Sequence, residues 1–357
     1  MKTHNALNVE RRAAQIIEEF LNHLPNLQVE HIDRDGEAGT RAMGADLVVK
    51  SRFAGKPLNL VIEVKRSGQP RNVREAAHQL RRYLGDTHTH AVPIVMAPYL
   101  SPQARDACKE ERVGYLDFMG NALIAFDTVY IEREVPGQPE PERRILRSLY
   151  KPKSARILRC LLAEPGRSWR TTELAEAAKV SAGLVSTVGT RLREHGWAKQ
   201  TDYGLALVAP NDLLDSWTEN YDPPRGEEHR CYTALHGGAL FDRLRGLMME
   251  EGRATLASFS AAEWLAPFVR HPNTYFYADE AGFVALSRVL GLKDAPKGAN
   301  VIIVVPEEDG VLDDVRQVAN GLIATSPIQT YLDLMHAGDR GQEGAGQLRK
   351  QLLDWYA

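Results

Sequence analysis

Long apolar runs are absent from this 357-residue chain. The longest, Ala91 to Leu100 and Ala299 to Pro306, fall well short of the roughly 18 residues that a membrane-spanning helix needs. Cysteine is scarce. Cys108, Cys160 and Cys231 are odd in number and far apart, so neither a disulfide framework nor a zinc knuckle is expected. The opening residues MKTHNALNVERRAAQ lack the apolar core of a secretory signal, and a reducing cytoplasm is the expected setting. There is no internal repeat, no low-complexity tract, no glycine-rich phosphate loop, no Ser-His-Asp order and no His-x-Glu…Cys-x-x-Cys pattern. Net charge is only −3. That rules out a strongly basic chain and leaves local basic surfaces open.

What is present suffices for buried cores: 43% of the residues are hydrophobic, and the length predicts two or three domains. Ala13, Ile16, Ile17, Phe20, Leu21 and Leu24 recur at helical spacing and predict a helix over Val9 to Leu24. Leu27 to Ile32 reads as a short strand, and residues 33 to 44 are polar and turn-rich. A hairpin follows. Asp46 opens its first strand, Gly55-Lys56-Pro57 turns the chain, and Leu58 to Lys65 runs back. The period of two puts Glu63 and Lys65 on one face and Val64 on the other.

Val73 to Leu84 reads as a helix with Gln79 and Tyr83 four apart on its surface. Ala91 to Ala97 has strand length, and Ser101-Pro102 opens another helix. Val113 to Asp117, Ala122 to Phe126 and Val129 to Arg133 read as strands. This succession of helices and strands describes one α/β domain over residues 1–134. Pro136, Pro139 and Pro141 mark a linker. Arg143 to Arg147 reads as the start of a short helix. Helices over Ser154 to Ala163, Thr171 to Ala178 (with a Thr cap) and Ser181 to His195 precede two strands around Thr201-Asp202. Three helices and a hairpin over 143–210 make a winged helix-turn-helix. Residues 211–357 read as a third, α+β domain, with helices around Leu240 to Glu250, Ala261 to Val269, Ile328 to Ala337 and Gly344 to Trp355. Its expected strands are Thr255 to Phe259, Thr274 to Tyr277, Phe283 to Leu286 and Val301 to Val305.

Two acids and a lysine at one end of a hairpin have the composition of a divalent-cation site. Mg²⁺ accepts one or two carboxylates plus water, and phosphodiester hydrolysis uses such an ion. Asp46 and Glu63 are the candidate ligands of Mg²⁺ or Mn²⁺, and Lys65 is placed to orient the water or to stabilise developing charge. Glu-x-Lys alone is a common tripeptide on solvated strands. Its context here is Gly44-Ala45-Asp46, then Glu63-Val64-Lys65, then Gln79-x-x-x-Tyr83 on a helix. That order resembles the PD-(D/E)xK superfamily of restriction-endonuclease-like nucleases, over roughly Val9 to Arg133. The Pro of the Pro-Asp is missing. The resemblance implies Asp46, Glu63, Lys65 and Gln79 as candidate catalytic residues, Gln79 and Tyr83 on the DNA side, and Glu18 or Glu19 as an extra helical acid. It also implies a fold that some members keep without activity.

In the winged helix, Ser181, Ser186, Thr187, Thr190, Arg191 and Arg193 on the third helix, with Lys199 and Gln200 at the wing, are the candidate contacts to double-stranded DNA. A winged helix used for protein contacts is the bland alternative. Leu184, Val188 and Leu192 read as core. Ser326-Pro327-Ile328-Gln329-Thr330-Tyr331-Leu332-Asp333-Leu334, then Gly338-Asp339-Arg340-Gly341 and a helix with Glu343 and Leu348, resemble the C-terminal region of AbiEi-family type IV antitoxins. The resemblance implies binding to promoter DNA, repression of the protein's own operon, and the countering of a nucleotidyltransferase-like toxin. A homodimer is left open. His88 and His90 could bind a metal but read as a solvated loop. Trp264 with Phe268, and the run Tyr275-Phe276-Tyr277, read as core before base-stacking platforms. Two functions therefore stand: a DNA-binding regulator carrying a nuclease-like domain, and a Mg²⁺-dependent DNA endonuclease.

Overall fold

A computed structural model describes residues 4–34, 45–85, 91–245 and 252–355. The chain has a mixed α/β multidomain architecture and divides into two compact units. One spans residues 1–144 with 191–196, the other 145–190 with 197–357. His88, His90 and Gly44 lie outside the described residues.

The first unit opens with α1 (His4–Asn22), β1 (Leu27–Arg34), β2 (Leu47–Phe53), β3 (Lys56–Val64) and α2 (Pro70–Leu84). It continues through β4 (Ala91–Ala97), α3 (Pro102–Glu110), β5 (Gly114–Asp117), β6 (Ala122–Phe126) and β7 (Val129–Arg133). The strands form one sheet in sequence order. β3, β4 and β5 are parallel, joined through α2 and α3, and antiparallel hairpins flank them. Period-two alternation splits the sheet's side chains between two cores. Leu47, Val49, Leu60 and Ile62 meet Ala13, Ile17 and Leu21 of α1 on one face. Val48, Val61 and Val95 meet Val73, Ala77 and Leu80 of α2 on the other. The start of α3 follows the sequence reading: Ser101 accepts from Ala104 N, with Pro102 in the first turn. The proline-rich stretch is short, because helix α4 (Glu140–Leu149) begins within it and takes in Pro141.

Beyond Lys65 the chain must pass the end of β4 closely. Gly68 bridges Leu100, and a Cβ at Gly68 would lie 2.0 Å from the Tyr99 carbonyl oxygen. Gly68→Ala is expected to destabilise the protein by about 2–3 kcal/mol, the usual cost of overpacking. Gly166→Ala, which meets nothing within 4 Å, is expected to leave stability unchanged. Urea denaturation of the two variants checks the contrast.

The second unit begins with α5 (Pro152–Ala163), β8 (Ser168–Trp169), α6 (Thr171–Ala177), α7 (Ala182–Glu194), β9 (Ala198–Thr201) and β10 (Gly204–Leu207). This is a winged helix with an added strand, since β8 pairs with β10. Ser168 and Trp169, between the first two helices, are therefore part of the wing sheet. Arg170, not Thr171, is the N-cap residue of α6, and Glu173 reaches back to its backbone N–H. In α7 the buried apolar side chains are Val185, Val188 and Leu192; Leu184 is only half-buried.

The rest comprises α8 (Pro210–Glu219), β11 (Gly226–Tyr232), α9 (Gly238–Leu244), β12 (Ala254–Leu256), α10 (Ser258–Leu265), β13 (Thr274–Ala278), α11 (Glu280–Leu290) and β14 (Lys293–Asp294). Then come β15 (Val301–Pro306), α12 (Gly310–Asp313), β16 (Val315–Gln317), β17 (Ile323–Thr325), α13 (Pro327–Met335) and α14 (Gly338–Leu352). The strands form a mixed sheet in the order β14-β11-β15-β13-β12-β17-β16. Phe283 to Leu286, expected as a strand, lies inside α11. Asp279 caps that helix by accepting from Gly282 N, and Gly291 ends it in the left-handed conformation. A short apolar run carries no periodicity that separates buried helix from strand. Phe259 likewise belongs to α10 rather than to the preceding strand. Gly338 to Gly341 already belongs to α14. Phe268 lies past the end of α10 and is 61% exposed, so it is not the core partner of Trp264 that its spacing suggested.

Candidate functional site

The pairing register Leu47↔Ile62 sets Asp46 opposite Glu63 at one end of the β2–β3 pair. Asp46 Oδ2 accepts from Val64 N at 2.7 Å, which fixes the carboxylate against the strand end. Glu63 and Lys65 project to the face that α2 covers, while Val64 packs with the α1 core. Lys65 Nζ donates to Glu63 Oε1 at 2.9 Å and to Gln79 Oε1 at 2.6 Å. The structure thus brings Asp46, Glu63, Lys65 and Gln79 together, from two strands and one helix.

Burial first, and then the like charge of Asp46, push the Glu63 carboxyl above its ordinary range; the bond from Lys65 pulls it back. Glu75 adds to the upward push. It precedes Gln79 by four residues and so shares its helix face, a spacing that could have flagged it in the sequence. Two carboxylates in mutual repulsion beside a half-buried lysine suit a hard cation that takes few protein ligands. Among the described residues no cluster of three or more His, Cys, Asp or Glu side chains could hold a metal. Tyr83 packs at the edge of the α2 core. Glu18 and Glu19 are exposed on α1, which covers the opposite face of the sheet. The expected helical acid is therefore not placed at the site by either residue.

On the winged helix, Ser181, Ser186, Thr187, Thr190, Lys199 and Gln200 are exposed, and Arg191 and Arg193 are half-buried. Ser181 Oγ accepts from Leu184 N at the head of α7. Ser186 and Thr187 donate to the carbonyls of Ala182 and Gly183, one turn back. Arg191 pairs with Glu194 of its own helix at 3.6 Å. Tyr203, 75% exposed at the wing turn, is a surface aromatic that no local periodicity in the sequence marks.

In the C-terminal region the Ser326–Leu334 segment forms the capped start and body of α13. Ser326 accepts from Gln329 N and donates to Asp314. Tyr331, Leu332 and Leu334 are core, as expected. The polar residues between them were not anticipated as a network. Asp333 Oδ1 accepts from Tyr221 OH at 2.6 Å, Tyr277 OH at 3.1 Å and Gln329 Nε2 at 2.8 Å. Arg159 of α5 donates to Gln329 Oε1 and so ties the winged helix to α13. Tyr277 and Phe276 are buried and Tyr275 half-buried, so the aromatic run of β13 is core.

Residues 206–354 match the family model described as "Transcriptional regulator, AbiEi antitoxin, Type IV TA system". The C-terminal region carries an AbiEi-family domain. The match begins in β10, so it takes in the end of the wing and the chain from there to residue 354. No curated protein matches the chain. Two solved structures do: EndoMS in apo form, at 17% identity and a TM-score of 0.22, and the EndoMS-dsDNA2 complex, at 19% and 0.21. Each covers 29% of this chain, against 45% and 42% of the other. The chain thus spans less than half the length of these structures, and a likeness at such TM-scores carries no argument about this protein.

Proposed function

We propose that this chain is a DNA-binding transcriptional regulator of the type IV antitoxin kind. The observation that carries the reading is the AbiEi-family domain set behind a winged helix whose hydroxyl-rich α7 is exposed. Ser186, Thr187 and Thr190 face the groove, and Lys199 on the wing and Arg193 near the helix end take phosphate. The family's description implies a cognate toxin whose action the regulator counters.

The test is a mobility shift on the DNA upstream of its own gene across a salt series. Binding is expected to weaken steeply with salt. Lys199→Ala and Arg193→Ala are each expected to flatten the log–log slope by about one, the value for one lost phosphate contact. No shift of that DNA at low salt would remove this reading.

A second reading is favoured by one observation, the convergence of Asp46, Glu63, Lys65 and Gln79. On it, the N-terminal domain is a Mg²⁺- or Mn²⁺-dependent DNA nuclease directed by the winged helix. Asp46 and Glu63 hold the ion, which when bound polarises a phosphate and acidifies a water. Lys65 steadies negative charge at the reacting phosphate, and Gln79 positions Lys65.

A further inference from the structure

One acidic segment of the C-terminal domain reaches the winged helix within the second unit. Glu308, Asp309, Asp313 and Asp314 lie between β15 and β16, and each meets a cation. Arg156 holds Glu308 at 2.8 Å, Arg253 holds Asp309 at 2.6 Å, and Arg159 comes within 3.5 Å of Asp314. Lys179 Nζ donates to Asp313 Oδ1 at 2.9 Å. Arg156 and Arg159 belong to α5, and Arg253 precedes β12. Lys179 differs from them in its place. It sits in the turn between α6 and α7, two residues before Ser181, the first of the exposed hydroxyls at the recognition helix.

The backbone of Lys179 is one that few lysines adopt. Its φ is +52°, and Val180 N donates to Ala175 O to close the end of α6. Glycine is the usual residue in that left-handed position, because a Cβ crowds the carbonyl. What lysine brings there is an ammonium beside the recognition helix. Its contact with Asp313 opens at little cost. The Lys179 side chain is 65% exposed, and exposed pairs of this kind shift an equilibrium by no more than about fivefold. Asp313 keeps other cations when Lys179 leaves, since Arg253 stands 3.5 Å away and Arg156 3.7 Å.

We propose, on the DNA-binding reading of the winged helix, that Asp313 makes an autoinhibitory contact: it occupies the Lys179 ammonium that a DNA phosphate would otherwise take. Asp313 competes from within the chain, at a fixed and short distance. The phosphate competes with the release of its counterions in its favour. The contact thereby sets how tightly the regulator holds DNA, and a change in the acidic segment of the C-terminal domain is felt at the recognition helix through one side chain.

Fluorescence anisotropy of a labelled duplex of the DNA upstream of the protein's own gene, titrated with the full chain over a salt series, reads the competition. Asp313→Asn is expected to bind about threefold to fivefold tighter and to steepen the log–log salt slope by about one, the mark of one added phosphate contact. Lys179→Gln is expected to change affinity by less than about twofold in the unaltered chain and to erase the gain in Asp313→Asn, a coupling that a loosened fold does not produce. Lys179→Gln alters an exposed side chain, so it stays informative if Asp313→Asn fails to fold. A slope flattened by about one in that single variant shows the ammonium already on phosphate and overturns the inference. Unchanged or weaker binding by Asp313→Asn also overturns it, and weaker binding assigns Asp313 to holding the winged helix in place. Absence of binding by every form removes the DNA-binding reading along with it.

Discussion

Glu63→Ala, Asp46→Ala and Lys65→Ala are each expected to reduce Mn²⁺- or Mg²⁺-dependent DNA cleavage by about a hundredfold or more, on the nuclease reading. Removing one preorganised charge-stabilising group commonly has that effect. The geometry predicts an order among the four residues. Asp46 and Glu63 are the only carboxylates assigned to the cation, so losing either takes away half of its protein ligands. Lys65 Nζ lies 2.9 Å from Glu63 Oε1 and brings the site's positive charge. Gln79 acts through its 2.6 Å bond to Lys65, so Gln79→Ala is expected to cost less, about tenfold. The pH dependence follows from Glu63. Burial and Asp46 raise its pKa, so cleavage falls as pH drops through that raised value, because a protonated carboxyl is a poor cation ligand. Plasmid nicking and linearisation over a pH series, with Mn²⁺ binding measured in parallel, give both readouts. A protein that binds no Mn²⁺ and cuts no form of DNA sinks the nuclease reading and leaves the regulator reading standing.

Asp333→Asn is expected to change how stability depends on pH. Burial pushes the Asp333 carboxyl up to about 6, against the bonds from Tyr221, Gln329 and Tyr277 that favour its charged form. The folded-state value thus exceeds the ordinary 3.8 of the unfolded chain. In the unaltered protein this contribution is fully present below the unfolded pKa and is lost as pH rises through the folded one. It amounts to about 3 kcal/mol in all, with about half of it lost between pH 5 and 8. Asn cannot titrate, so the variant lacks this decline. Urea denaturation of both proteins at pH 5, 6, 7 and 8 measures the difference between their slopes. Parallel pH profiles would show that Asp333 titrates normally, and would contradict the geometry of an enclosed carboxylate with one unbonded oxygen.

Much of the fold is readable along the chain, for identifiable reasons. Ala91–Ala97, Ala122–Phe126 and Val129–Arg133 are strands over the residues expected, because apolar runs of strand length between turn residues have few alternatives. The hairpin around Asp46 and Glu63 is readable for the same reason. Its alternation also settles which face carries Glu63 and Lys65. β11, with the sequence GEEHRCY, was not anticipated. It is largely exposed and charged, and it is a strand because β15 pairs with it along six residues. Phe283–Leu286 is ambiguous in the sequence, because so short a run of residues fits either a buried strand or a buried helix. The cap at Asp279 and the left-handed Gly291 decide for the helix.

By itself, then, the sequence determined the three kinds of layered element, the triad Asp46, Glu63 and Lys65, and the hydroxyl-rich helix of the winged motif, because local periodicity and spacing carry that information. Tertiary structure alone decided which side chains meet. It put Gln79 on Lys65, kept Glu18 and Glu19 away, and joined Arg159 to Gln329 and Asp333 across 170 residues of chain. It also buried Arg156 Nε, Arg159 Nε and Trp169 Nε1 without acceptors. The physical reason is that hydrogen bonds between distant segments, and the burial that makes an unmet donor or a charged carboxylate costly, exist only once the elements have packed.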